Sequence, residues 1–320
     1  MSSSPSSCDR LQAYGLIRRE LEKICLSESV TLIAAAEFGS GANGLASANS
    51  DYDVVFVYVR RLPCYFCVDP TVPHDTRENL RFEHLRLSER VVVDAQGFDA
   101  RQAIKMIKEG NLTILDMLAS PSPVYGTAED RRVSAPTDYF FKTAGSLLQR
   151  QRWQMNKSLA WQLWGKATRH DKLFFNCRWA KRQLLGERSP CITKKYFYVI
   201  VPLLRLLWLS RRIQQHPDDS FCFPPLEFDA LIPADIPHPH AVAALANLVH
   251  RKRMGELTDE LEPLILDLDV WLSELFSTLQ QFLQVWPAGE SIPDLQLHSI
   301  WDRFWFELAM VTSDIQFSFS

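Results

Sequence analysis

FGSGANGLASANSDYDVVFVYV, residues Phe38 to Val59, decides how the rest of the chain is read. It follows the apolar run VTLIAAAE and passes through small and polar residues into a second apolar run. Two aspartates, Asp51 and Asp53, open that second run. Runs this rich in β-branched and aromatic residues predict strands over 30–38 and 53–59. Alternate residues of a strand share a face, so both carboxylates leave the same side. Adjacent carboxylates repel, and a divalent cation relieves that repulsion. Mg²⁺ takes one or two carboxylates together with substrate phosphates. Gly39 lets backbone approach a ligand closely, and Ser40 adds a hydroxyl beside backbone N–H groups suited to phosphate oxygens. Asp51 alone also fits a turn, because Asn49-Ser50-Asp51 is favourable turn chemistry.

A third strand is expected over RVVVDAQGF, 90–98, carrying Asp94 near its end. A mixed or antiparallel sheet would bring Asp94 beside the pair and complete a two-metal carboxylate set. By itself Asp94 also reads as a strand-end residue. The segment from 60 to about 88 reads as a connection. DARQAIKMIKEGN, 99–111, is expected to be a helix capped by Asp99 and stopped by Gly110-Asn111. LTILDMLAS reads as a short helix, and SPSPVYG as a break in the pattern.

Residues 9–26 show helical spacing through positions 11, 16/17, 21 and 24. Beyond about 138 the spacing is helical almost throughout, most extensively over 260–286, with a proline- and acid-rich crossing between 214 and 240. YFYVIVPLLRLLWL, 196–209, is too short and too charged at Arg205 to span a bilayer, and reads as a buried helix with Pro202 inside it. The fold class is therefore α+β: a short mixed sheet with flanking helices, followed by a mainly helical C-terminal domain. The expected division is a tail at 1–8, a sheet domain at 9–130 and a helical domain at 131–320.

Composition is ordinary for a globular chain, with 47% hydrophobic residues, 23% charged residues and net charge -3. That balance does not suggest a protein that coats nucleic acid, although a local basic patch is compatible with it. Seven cysteines at irregular spacing fit free thiols in a reducing, cytoplasmic setting. Cys64 and Cys67 form a lone CxxC without a second half, so they read as buried thiols rather than a zinc site. The N-terminal MSSSPSSCDR has no apolar signal core.

Gly39-Ser40, ten residues, then Asp51-Tyr52-Asp53 resembles the signature of the DNA polymerase β-like nucleotidyltransferase superfamily. GLASANSDYDVVFVYVRRLPCYF, VDAQGFDARQAIKMIKEGN with ILDMLASPSPVY, and KKYFYVIVPLLRLLWL resemble successive motifs of one family. This is the RlaP/YcgL-type nucleotidyltransferases, also called the RNA repair pathway DNA polymerase β family. LVHRKRMGEL is similar to a later helical motif, and the resemblance spans roughly 30 to 285. Glu37 also fits the pattern. The chain departs from it at Gly41, where arginine is common, and at Asn43, where an aromatic is common. Loss of the arginine removes a cation near the phosphates.

The resemblance implies Mg²⁺- or Mn²⁺-dependent transfer of a nucleoside monophosphate from an NTP or dNTP to an acceptor hydroxyl, with pyrophosphate release. RNA ends are the acceptor that the family name suggests. Asp51, Asp53 and Asp94 are the expected metal ligands and catalytic carboxylates; Gly39, Ser40 and Ser50 the expected phosphate contacts. Lys105 shares a helix face with Arg101 and Lys108, which reads either as a phosphate-facing or as a solvated face. Lys195 and the apolar-run charge Arg205 are further phosphate candidates. The basic clusters RHDK, 169–172, and HRKR, 250–253, read as solvated faces, either of which could touch an RNA acceptor. His238 and His240 read as loop residues. Two alternatives stand beside transferase activity on RNA: a non-catalytic nucleotide- or RNA-binding module, and transfer to a protein or small molecule.

Overall fold

The structure is a computed structural model that describes residues 7–65, 79–125, 135–175, 191–216, 221–263, 265–286 and 294–317. Within these the chain forms two compact units. One takes residues from 5–42, 51–151 and 291–320; the other takes 43–50 and 152–290. Cys67 lies outside the described residues. Cys64, expected to be a buried thiol, is half-buried in a short 3-10 turn, Leu62–Tyr65.

In chain order the first unit contains α1 (Ser7–Ser27), β1 (Val30–Glu37), the single turn α2 (Gly39–Ala42) and β2 (Tyr52–Arg60). It continues with β3 (Leu80–Arg86), β4 (Val92–Asp99), α3 (Ala100–Lys108), α4 (Leu112–Ala119), β5 (Pro123–Tyr125) and α5 (Ala135–Arg150). The C-terminal helix Asp294–Phe317 returns to this unit and packs on α3 and α5. The five strands form one sheet in the order β3-β4-β2-β1-β5. β2 runs parallel to β4, and the other pairings are antiparallel. The architecture is thus α+β, with a mixed sheet.

β2 is buried from Val54 to Arg60 because helices cover both of its faces. On one face Val54, Phe56 and Tyr58 join Val93 and Ala95 of β4 against Ala13, Ile17, Leu21 and Cys25 of α1. That i, i+4 stripe differs from the expected one: Leu11 is 70% exposed. α3 and α4 pack against β2 as well, with Ala103, Ile104 and Ile107 buried on α3. Asp99 caps α3 as expected, accepting from the Arg101 N–H at 2.9 Å. Gly110, at φ +71, and Asn111, whose N–H returns to the Met106 carbonyl at 2.9 Å, stop α3 as expected, and the Asn111 side chain also caps α4 through the Thr113 N–H at 3.0 Å.

Two strands of this sheet were not expected. β5 lies in the stretch read as a break. β3 lies in the stretch read as a connection. Its register shifts between Phe82 and Leu85, so Leu80 and Phe82 before the shift and Leu85 and Leu87 after it all pack on the α1 side. The shift is a β-bulge, which inserts one residue and changes the strand's parity. His84, at the bulge, has φ 53.

The second unit holds α6 (Arg152–Phe175), a small ribbon of β6 (Cys191–Ile192) with β7 (Leu261–Glu262), and helices Phe197–Gln215, Phe228–Leu231, Pro239–Met254 and Leu266–Gln284. The apolar run is a buried helix with Pro202 inside it. The last of these helices starts at Leu266, later than the spacing indicated, because Leu261 and Glu262 are drawn into the ribbon. His240 sits in a helix rather than a loop, and His238 contacts Glu274 at 2.7 Å. No described helix is long and apolar enough to cross a membrane.

The stretch Asn43–Ser50 is not a passive loop. Leu45 is buried, the Phe228 N–H donates to the Asn43 carbonyl at 3.0 Å, and Arg253 donates to the Gly44 carbonyl at 2.9 Å. Arg253 also grips Asp229 with two bonds of 2.9 Å, while Arg251 holds Glu262 bidentately. Both arginines of the HRKR cluster are therefore ion-paired within the fold while staying partly exposed.

Candidate functional site

Strand register assembles the site. Asp53 of β2 pairs directly with Asp94 of β4 in the parallel ladder, so the two carboxylates stand side by side on one face. The α1-facing core takes Val54, Phe56, Val93 and Ala95, which leaves Asp53 and Asp94 on the opposite face. The bulge in β3 then brings His84 to the same place. Its backbone N–H donates to Asp94 Oδ1 at 2.7 Å, and its ring Nδ1 lies 3.6 Å from that oxygen.

Asp51, His84 and Asp94 each offer a ligand atom, and all three atoms lie within 4.8 Å of one another. Ligand atoms on opposite sides of one ion stand about 4–4.5 Å apart, given metal–ligand bonds of roughly 2.0–2.2 Å. Two carboxylates and an imidazole at this separation fit a divalent cation after small side-chain adjustment. His84 is exposed and Asp94 half-exposed, which leaves room for that adjustment. The expected trio was Asp51, Asp53 and Asp94; the group that converges is Asp51, His84 and Asp94. The Asp53 carboxylate is turned toward Gly39 instead.

The turn after β1 is shaped by two glycines. Gly39 has φ +65, and a Cβ there would stand 2.6 Å from Asp53 Oδ2. The Phe38 N–H donates to the Asp53 carbonyl at 2.9 Å, which ties the turn to the start of β2. A Cβ on Gly41 would stand 1.7 Å from Glu37 Oε1. Glu37 lies beneath the turn, 1% exposed, accepting from the Tyr14 hydroxyl at 2.5 Å and from Arg10 Nη1 at 3.2 Å. Burial raises the Glu37 pKa, while Tyr14 and Arg10 pull it down; burial and Glu37 together push Tyr14 up to about 12. Arg10 Nη1 also lies 3.5 Å from the Gly41 carbonyl. A guanidinium therefore stands beside residue 41, supplied by α1 rather than by residue 41 itself. Arg60 does not take that part, because it is buried over the Tyr58 ring.

The other expected phosphate contacts are placed differently. The Ser50 hydroxyl accepts from the Ser47 N–H at 2.9 Å and is engaged in a local turn. Lys105 is exposed and lies 3.9 Å from Glu109 on its own helix. Lys195, in the second unit, lies over the Tyr198 ring at 5.1 Å. Arg205 is buried over Phe223, also at 5.1 Å. In the RHDK cluster, Asp171 is buried, and burial together with Lys166 and Arg169 lowers the His170 pKa.

A family model described as the RNA repair pathway DNA polymerase β family matches residues 15–296. The chain belongs to that family. The match runs through both units and includes every candidate ligand named above. A protein of Bacillus subtilis (strain 168), named uncharacterized protein YcgL, is 28% identical over 240 residues, covering 75% of this chain and 76% of that protein. The crystal structure of a nucleotidyltransferase-like protein from Exiguobacterium sibiricum 255-15 aligns over 85% of this chain and 77% of that one, with 11% identity and a TM-score of 0.30.

Proposed function

We propose that this family member is a metal-dependent nucleotidyltransferase. It moves a nucleoside monophosphate from an NTP or dNTP to an acceptor hydroxyl and releases pyrophosphate. The observation that carries the proposal is the placement of Asp51 and Asp94 within ligand distance of one another, on a sheet whose next turn is a glycine-shaped cradle. Asp51 and Asp94 would hold the divalent cation, with Asp53 alongside. Bound there, the ion would neutralise triphosphate charge and lower the pKa of the acceptor hydroxyl.

The protein's own residues do the rest. Gly39 and Ser40 present backbone N–H groups and a hydroxyl to phosphate oxygens. Glu37, pinned by Arg10 and Tyr14, fixes the floor of the turn. Fixed donors aimed at developing charge lower the barrier without reorganising during the reaction. An RNA end is the acceptor the family description favours, and acceptor identity is the finer part of the proposal.

The test is pyrophosphate release from each labelled NTP and dNTP with Mg²⁺ or Mn²⁺ and pooled RNA, protein and metabolites. Asp51→Asn and Asp94→Asn serve as controls. Release that requires metal and is lost in both controls supports transfer, and the label then identifies the acceptor. Binding of metal–nucleotide with no release from any pool would sink the catalytic reading in favour of a binding module.

A further inference from the structure

We infer that His84 is itself a ligand of this metal site, making it a mixed nitrogen–oxygen set that favours Mn²⁺ over Mg²⁺. The inference rests on the metal reading proposed above and extends it to a residue on an unexpected strand.

Three features bear on where the imidazole stands, the first two being aspects of one bulge. The first is the bulge. Without the inserted residue, position 84 would follow Leu80 and Phe82 toward the α1 side of the sheet. With it, Leu85 resumes core packing and His84 emerges beside Asp94. The second is backbone conformation. His84 adopts φ 53, a left-handed conformation that non-glycine residues adopt uncommonly. Strain of that kind persists where surroundings hold it, and it gathers at ligand sites. The third is exposure. The side chain is 77% exposed, so burial does not explain its position. What it does meet is two carboxylates, with its ligand atom inside the same 4.8 Å group.

A competing explanation is a plain surface ion pair between protonated His84 and the carboxylates. Exposed pairs of that kind are worth little. A shared ion would hold all three ligand atoms together, and imidazole is a common metal ligand. The donor set also dictates preference. Mg²⁺ keeps to oxygen ligands and water, whereas nitrogen donors raise affinity along the transition-metal series, beginning with Mn²⁺.

The backbone N–H of His84 has a separate part. By donating to Asp94 Oδ1 it orients that carboxylate, as outer-shell partners do for ligands generally. One residue thus supplies a ligand through its ring and positions a second ligand through its main chain.

The experiment uses Mn²⁺ alone with the full chain, read by titration and by pulsed electron paramagnetic resonance. Wild-type protein should bind Mn²⁺ with a ¹⁴N coupling from a directly bound imidazole. His84→Ala should lose that coupling and lower the Mn²⁺-to-Mg²⁺ affinity ratio roughly tenfold or more, the order seen even for outer-shell losses. His84→Asn guards against misfolding, because asparagine tolerates the left-handed conformation and keeps the bulge. It should fold as wild type and still lose the imidazole coupling. Mn²⁺ bound through Asp51 and Asp94 without ¹⁴N coupling would overturn the inference and leave the transferase proposal standing. Coupling that persists in His84→Asn would also overturn it. Mn²⁺ binding indifferent to Asp51→Asn and Asp94→Asn would overturn both. Nitrogen-coupled Mn²⁺ with no pyrophosphate release from any nucleotide would uphold the inference and sink the transferase reading.

Discussion

Asp53 presses its carboxylate against the α-carbon of Gly39, so closely that a methyl group there would lie 2.6 Å from Oδ2. Gly39 is also in the left-handed region, at φ +65. Two requirements thus meet in one glycine: the turn needs the conformation, and the carboxylate needs the space. Gly39→Ala should cost about 1–2 kcal/mol from the backbone alone and should displace Asp53. Pyrophosphate release should fall about a hundredfold, the penalty of misplacing reacting groups by roughly 1 Å. Denaturant melts and single-turnover assays on the same preparation separate the two effects. Full activity in a destabilised variant would show that Asp53 need not touch the turn.

Gly41 answers to a different neighbour. Its missing side chain makes room for the buried Glu37 carboxylate. Gly41→Ala should force Glu37 off Tyr14 and Arg10 and cost about 1–3 kcal/mol, as overpacking does. In a Glu37→Ala background the same change should cost almost nothing, because the clashing oxygens are gone. Urea unfolding of the four proteins of this cycle measures the coupling. Equal costs in both backgrounds would mean that Gly41 is constrained by something other than Glu37.

The sequence made some of this legible and concealed the rest for definable reasons. β1 and β2 stood out because they are nearly unbroken apolar runs, the mark of strands covered on both faces, and β4 because of its Val91–Val93 run. Asp51, Asp53 and the glycine turn stood out because short-range spacing carries their geometry. β3 was hidden by its own bulge. Leu80 and Phe82 alternate properly, then Glu83-His84 interrupts the period and Leu85 restarts it on the other parity. The feature that brings His84 to the site is therefore the feature that erased the strand signal. Arg10 was hidden by distance, since nothing local says that α1 places a guanidinium next to residue 41. The return of Asp294–Phe317 to the sheet unit was hidden for a similar reason: helical spacing shows that a face is buried and not which neighbour buries it.

Asp99 joins local and long-range structure at the far end of β4. It caps α3 and accepts from the Tyr65 hydroxyl at 2.7 Å, and that hydroxyl in turn accepts from the Arg60 N–H at 2.9 Å. Burial raises the Asp99 pKa, and the Tyr65 hydroxyl, the Arg101 N–H and nearby Arg60 pull it back. Asp99→Ala should lose a cap, worth about 1 kcal/mol, and strand a buried hydroxyl, at about 1–3 kcal/mol. Asp99→Asn should cost clearly less, because asparagine caps helices well and still accepts from Tyr65. Thermal denaturation ranks them. Equal losses would argue that the charge matters more than the hydrogen bonds.

Arg10 gives a prediction with a definite pH dependence. Burial raises the folded-state pKa of Glu37 above its unfolded value, and Arg10 opposes that rise. A carboxyl raised in this way favours the folded state below its unfolded pKa, and that contribution is lost as pH rises through the folded pKa. Removing Arg10 pushes the folded pKa higher still, so the ionised carboxylate becomes costlier to bury while the protonated form is little affected. Arg10→Met keeps most of the side-chain volume and removes the charge. It should destabilise by about 1–3 kcal/mol near neutral pH, and by progressively less as pH falls toward the ordinary glutamate range of about 4.3. Arg10→Lys keeps a cation and should lie between Arg10→Met and wild type. Urea unfolding at several pH values reads the effect. A penalty that stays constant with pH would mean that Arg10 acts by packing over the turn, and that the Glu37 carboxyl is already protonated beneath it.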